Sequence, residues 1–212
     1  MDVTRIFYQV AYRMGFHPWE DLANHPPFVD SLSQLLDREE SGREPPYGPA
    51  LDLGGGSAVW GVHLARRGWQ VTSVDLVSTA LRRARKRVRE AGADVLLIQG
   101  DVTDLRAALR PAGAYHGFRL VLDTGTFHGL TDPQRVAMGG EVTAITTDDA
   151  TVLLDVFAPG RRGPLPRGAT RGDVEAAFPG WKVTDVEVAD TEPDPLARLL
   201  KFDEHWYRLR RD

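Results

Sequence analysis

The 212 residues suffice for one well-packed domain and are too few for two of ordinary size. At 42% hydrophobic and 26% charged, with no apolar run long enough to cross a bilayer, the chain reads as a globular protein without a membrane span. The lack of cysteine excludes disulfides, Cys-ligated zinc, iron–sulfur clusters and thiolate nucleophiles, and the net charge of -4 gives no overall reason to bind nucleic acid or an anionic membrane.

The opening stretch, MDVTRIFYQVAYRMGF, carries Val3, Ile6, Phe7, Val10, Ala11 and Met14 at three- and four-residue steps, which predicts an amphipathic helix. It has neither an uninterrupted apolar core nor a small-residue cleavage site, so no secretory signal is expected and the cytoplasm is the expected compartment. Gly15 and Pro18 break this helix, a second is expected from about Phe28 to Arg38, and SGREPPYGP (Ser41 to Pro49) reads as a turn-rich hinge. Two parts follow from this: an N-terminal helical arm or lid over residues 1–48, and a main domain over 49–212.

From Ala50 onward short apolar runs alternate with amphipathic helices. Strands are predicted at Ala50–Leu53, Val71–Val74, Val95–Ile98, Leu120–Leu122 and Val152–Phe157. Helices are predicted at Ala58–Arg67, Thr79–Glu90, Pro133–Ile145 with Asp132 as N-cap, and near Asp173–Phe178. Trp181–Val188 and His205–Leu209 alternate in polarity and read as closing strands with an antiparallel edge. Strands apolar on both faces, separated by helices, predict an α/β fold with a doubly wound, mostly parallel sheet.

The informative segment is LDLGGGSAVWGVHLARRG, Leu51 to Gly68, in which a buried strand runs through Gly54-Gly55-Gly56 into a helix. Glycines there let backbone approach a ligand, and a helix N-terminus offers unpaired N–H groups. Asp75 ends the next strand, about twenty residues on, where a carboxylate can accept both hydroxyls of a ribose. Asp101 follows the third strand and Asp123 the fourth. With Asp52, four successive strands each bring a carboxylate to the expected ligand edge of the sheet. A nicotinamide-binding pattern would need glycine at Val59, and the phosphate-loop sequence Gly-x-x-x-x-Gly-Lys is absent.

Residues 50–158 resemble the core of class I S-adenosylmethionine-dependent methyltransferases. LDLGGGSA resembles that family's first motif, while Asp75, QGDV around Asp101 and LDTGTFHGL resemble the later ones in order and spacing. GFHPW and the Asp-x-x-x-Phe-His element are similar to small-molecule members such as the thiopurine and tellurite-resistance methyltransferases. The resemblance implies a Rossmann-like sheet of seven strands with helices on both faces, an antiparallel last strand and an N-terminal helical arm. It implies S-adenosylmethionine as cofactor and S-adenosylhomocysteine as product. Gly54, Gly55 and Gly56 would lie against the methionine moiety and ribose. Asp52 would fix the loop and orient the amino group, directly or through water. Asp75, with Leu76 beside it, would hold the ribose hydroxyls. Asp101 would accept from the adenine amino group while the Val102 N–H reaches the ring, and Asp123 and Thr124 would face the methionine end and the methyl group. Ala58 stands where the family usually has a third glycine, an extra methyl group expected beside the cofactor.

Methyl transfer from a sulfonium is mainly positional, and a base is needed only for an acceptor that must lose a proton. His128, just past the fourth strand, is the first candidate base and His17 the second; a base favours oxygen as acceptor atom over nitrogen or sulfur. Phe16 and Trp19 are candidate lid residues beside the cofactor. LRRARKRVRE places Leu81, Ala84 and Val88 on one stripe and its basic residues on the other faces, as a solvated outer helix does. Arg161, Arg162 and Arg167 could meet an anionic substrate group. The expectation is an enzyme acting on a small-molecule acceptor, monomeric or homodimeric, with no metal, membrane or nucleic-acid partner. A cofactor-binding regulatory homologue without turnover is the alternative, and an RNA methyltransferase the third reading.

Overall fold

The computed structural model describes residues 25–114, 117–160, 167–188 and 204–212. The predicted helix of residues 3–14, Phe16, His17, Trp19, Arg161 and Arg162 lie outside the described residues.

Helix α1 (Pro26–Glu40) leads into strand β1 (Pro49–Leu53). There follow α2 (Val59–Arg67), β2 (Gln70–Asp75), α3 (Ser78–Ala91), β3 (Val95–Gln99), α4 (Leu105–Leu109), β4 (Phe118–Thr124), α5 (Asp132–Ile145), β5 (Thr146–Phe157), α6 (Arg171–Ala177), β6 (Trp181–Val188) and β7 (Glu204–Arg211). The seven strands form one sheet in the order β3-β2-β1-β4-β5-β7-β6. All pairings from β3 to β5 are parallel, and β7 inserts antiparallel between β5 and β6. This is the mostly parallel, doubly wound sheet that the alternating runs predict.

Side-chain alternation along the strands divides the core in two. Ala50, Val71, Leu120, Leu122, Leu153 and Trp206 face one way, with Phe28, Leu32, Leu35 and Leu36 of α1 and Trp60 and Leu64 of α2. Leu51, Leu53, Val121, Val152, Leu154 and Leu209 face the other way, with α4, α5 and α6. Helix α1 is anchored at its far end by buried Glu39, whose Oε1 accepts from Arg208 Nε at 2.6 Å and whose Oε2 accepts from Thr151 Oγ1 at 2.6 Å. Desolvating that carboxylate is offset by the two charge-assisted partners.

Three local readings differ from the sequence. The N-cap of α5 is Thr131, one residue before the expected Asp132. Thr131 N–H and Oγ1 both donate to Gln134 Oε1, at 3.0 and 2.8 Å, so the Thr-x-x-Gln spacing sets the helix start. Helix α4 is too short for a periodic signal. Strand β5 begins six residues before Val152, in the polar stretch TTDD that no apolar run marks.

Candidate active site

Strand β1 pairs with both β2 and β4, so the chain reverses its winding direction between β1 and β4. In an open α/β sheet a crevice forms outside the strand ends at such a switch point. The loop Gly54–Ala58 lies at this position. Gly54 and Gly56 have φ of +60° and +56°, a region that costs a side-chain-bearing residue about 1 kcal/mol or more.

Packing makes glycine necessary at the middle position too: a Cβ on Gly55 would overlap Asp52 Oδ2 and Ser73 Oγ. One on Gly54 would overlap Thr126 Oγ1, which donates to the Leu53 carbonyl at 3.2 Å. The loop is thus pressed between the Asp52–Ser73 hydrogen bond that joins β1 to β2 and the turn after β4.

Asp52 is fully buried on β1. Its Oδ2 accepts from Ser73 Oγ at 2.8 Å, and its Oδ1 has no hydrogen-bond partner. Burial pushes its pKa up to about 7, against the lowering effect of Ser73, with Asp75 adding a smaller upward push. Asp75 ends β2 with its carboxylate turned to the loop: Oδ2 accepts from Gly56 N–H at 2.9 Å and Oδ1 from Val77 N–H at 2.6 Å. Leu76 is half-buried beside it. Asp101 stands exposed two residues beyond β3, where Oδ1 accepts from the N–H and hydroxyl of Thr103 at 2.9 and 2.7 Å, while Val102 is buried.

Asp123 departs from this row. In the β1–β4 register it lies opposite Leu53, whereas Asp52 lies opposite Leu122, so Asp123 faces the other side of the sheet. Its carboxylate is fully buried: Oδ1 accepts from the N–H groups of Gly125 and Thr126 at 2.9 and 2.7 Å, and Oδ2 from that of Phe127 at 3.0 Å. Burial raises its pKa to about 7 even against these three donors. The observed job of this side chain is to cap the 3₁₀ turn Phe127–Gly129. Thr124, half-buried, ends β4 on the side shared with Asp52 and is paired in register with Asp155.

His128 sits in that turn, 3% exposed, its ring stacked on Phe157 with centroids 4.4 Å apart. Its Nδ1 accepts the backbone N–H of Phe157 at 3.3 Å. In the neutral imidazole this assigns the proton to Nε2, which makes Nε2 a donor. Arg135, also buried, holds the turn by donating to the carbonyls of Phe127, His128 and Gly168. Nothing in the local pattern marks this residue beyond an Arg on a helix. Arg167 donates to the Leu130 carbonyl and to Asp132 Oδ1, so it is engaged at the surface.

The basic helix α3 behaves as its phase predicts. Ala80, Leu81 and Ala84 are buried, and Arg87 bonds Ser57 behind the glycine loop. A cavity of about 430 Å³ opens between α2 and α3, among Trp60, His63, Arg66, Arg87 and Glu90. Among the described residues no group of three or more potential ligands could hold a metal ion, and no helix is long and apolar enough to cross a membrane.

Residues 50–149 match the family described as "Methyltransferase domain". No curated protein matches the chain. Solved structures do. The 1,6-didemethyltoxoflavin-N1-methyltransferase of Burkholderia thailandensis, solved with 1,6-didemethyltoxoflavin and S-adenosylhomocysteine, is 20% identical with a TM-score of 0.71, covering 98% of this chain and 86% of that one. The N-methyltransferase NodS of Bradyrhizobium japonicum, in complex with S-adenosylhomocysteine, is 14% identical with a TM-score of 0.68, covering 88% of each chain. The magnesium protoporphyrin IX methyltransferase of Synechocystis, with S-adenosylhomocysteine bound, is 16% identical with a TM-score of 0.63, covering 87% of this chain and 82% of that one. Residues 50–149 are therefore a methyltransferase domain, and the seven-stranded sheet built around it has the class I methyltransferase fold.

Proposed function

We propose that the protein transfers a methyl group from S-adenosylmethionine to a small-molecule acceptor and releases S-adenosylhomocysteine. The observation that carries this reading is the loop Gly54–Gly56 at the switch point. Asp75 is bonded to it, and beneath it Asp52 keeps one buried acceptor atom unpaired. An orphaned buried carboxylate oxygen suits an ammonium such as that of the cofactor's methionine moiety.

When bound, the cofactor supplies a methyl carbon already activated by a sulfonium. This chain's own residues then act by position. Asp75, held at the loop by Gly56 and Val77 N–H, would accept from the ribose hydroxyls. Val102 N–H and Asp101 would border the adenine. Thr124 would face the methyl group, and the N-terminal arm over residues 1–48, with His17 and Trp19, would supply a lid.

The expectation of an oxygen acceptor rests on a base at His128. With Nδ1 already accepting from Phe157 N–H, a neutral His128 would not be the group that takes the acceptor's proton. The acceptor this favours is a nitrogen whose lone pair is already free at neutral pH. Two of the similar structures are named N-methyltransferases, which supports that choice.

Titration calorimetry with S-adenosylmethionine and S-adenosylhomocysteine tests the reading. Binding of both is expected, weakened at least about tenfold by Asp75→Ala, the loss of a charge-assisted ribose contact. Absence of binding by either at millimolar concentration would overturn it. Transfer of a labelled methyl group to a panel of nitrogen heterocycles, phenols and thiols identifies the acceptor atom.

A further inference from the structure

Beyond the glycine loop, the same rim holds two carboxyl groups that the cofactor reading does not use. Asp155 lies near the end of β5, and Glu204 opens β7. In the antiparallel register Asp155 lies opposite Trp206 and Phe157 opposite Glu204, so Asp155, Glu204 and Trp206 project from one face of the sheet. It is the face of Thr124, Asp52 and α1, where the Phe28 ring lies 5.3 Å from that of Trp206.

All three side chains are at least nine-tenths buried, and each keeps a polar atom without a partner: Asp155 Oδ1, Glu204 Oε2 and Trp206 Nε1. A buried charge without a counter-ion is costly, and natural chains hold such groups where function needs them. Among the described residues neither carboxyl group has an ion-pair partner. Burial and, second, the proximity of Glu204 push the Asp155 pKa well up, and burial raises that of Glu204 to about 7.

We propose that Asp155 and Glu204 are the specificity determinants of the acceptor site, jointly receiving a protonated amine of the acceptor against the aromatic wall of Trp206. Two of an ammonium's three donors can meet the two orphaned carboxyl oxygens, and its charge removes the repulsion between the two groups. An amine held in this way stays protonated and cannot attack a methyl group. It is a handle that orients the molecule, while a second, uncharged atom of the acceptor takes the methyl group. The proposal rests on the methyltransferase reading above and adds the class of acceptor to it.

The test measures binding of matched pairs to the full chain saturated with S-adenosylhomocysteine: histamine against 4-ethylimidazole, tryptamine against 3-ethylindole, tyramine against 4-ethylphenol. At least one amine is expected to bind tenfold or more tighter than its deaminated counterpart. That preference is expected to vanish in Asp155→Asn/Glu204→Gln, with each single substitution intermediate and S-adenosylhomocysteine affinity unchanged. Circular dichroism of these near-isosteric variants confirms that they fold. Equal binding across every pair, or a preference that survives the double substitution, overturns the proposal while leaving the methyltransferase reading intact. Failure of S-adenosylhomocysteine to bind the unaltered chain overturns both.

Discussion

Ser73 on β2 donates to Asp52 on β1 at 2.8 Å directly beneath Gly55, and both of the bonded oxygens occupy space that a methyl group on Gly55 would need. The loop therefore depends on a hydrogen bond between two neighbouring strands as much as on its own glycines. Gly55→Ala should drive the Asp52 carboxylate from its place, lowering S-adenosylhomocysteine affinity by about thirtyfold or more, which is roughly 2 kcal/mol. Gly140→Ala is the control. Gly140 lies exposed on α5 with nothing near its Cβ position, and there alanine should add about 0.5–1 kcal/mol of stability. Calorimetry of binding and thermal melting of the two variants check the pair.

Asp123 and the turn it caps allow a second test. Three backbone N–H groups converge on its two oxygens, and an amide in its place would present N–H to N–H at Phe127. Asp123→Asn is expected to cost about 2–3 kcal/mol of stability, since a buried donor loses its acceptor. If its main role is structural, a folded Asp123→Asn protein keeps S-adenosylhomocysteine affinity within about threefold, 0.7 kcal/mol. A larger loss of affinity without a loss of melting temperature would place the carboxylate against the cofactor.

The order of strands and helices from Pro49 to Phe157, the short α4 apart, was legible because each buried strand is a short apolar run and each longer helix has its own stripe. The acids that follow the strands were legible for the same reason: they interrupt apolar patterns. Their facing was not. Asp52 and Asp123 look alike in sequence, and only the β1–β4 register, which sets Asp123 opposite Leu53, turns one toward the loop and the other away. Asp155 was visible as an acid inside VLLDVF, yet its neighbour Glu204 comes from the far end of the chain through an antiparallel pairing that no local pattern encodes. The Nδ1 bond of His128 to Phe157 N–H is equally a tertiary fact.

The buried carboxyls set a pH dependence. Burial raises the folded-state pKa of Asp52, Asp123 and Glu204 to about 7, and that of Asp155 well above its ordinary value. Between the unfolded pKa, near 4, and these raised values the folded chain binds more protons than the unfolded chain, so stability falls as pH rises through that interval. Asp149 and Asp173 have lowered pKa values from hydrogen bonds with Thr147 and Thr170, and they oppose this only at the acid end. The melting temperature is expected to be highest at mildly acid pH and to fall by roughly 5 °C or more toward pH 8. Asp155→Asn/Glu204→Gln should flatten the fall and raise stability at pH 8. A melting temperature that rises steadily from pH 5 to about 8 would contradict the assignment.

Ala58 precedes α2 with φ +58°, the left-handed region that glycine occupies readily and alanine does not. Its methyl group is fully buried within the protein, so the expected crowding of the cofactor is replaced by backbone strain and internal packing. Ala58→Gly relieves about 1 kcal/mol of strain, loses one buried methyl group of about 0.8 kcal/mol, and frees the unfolded chain by about 0.4–1 kcal/mol. These nearly cancel. The variant should melt within about 3 °C of the unaltered protein, on the low side, with S-adenosylhomocysteine affinity changed less than threefold. An affinity gain of tenfold or more would instead show that the methyl group reaches the cofactor, which thermal melting and calorimetry on one preparation distinguish.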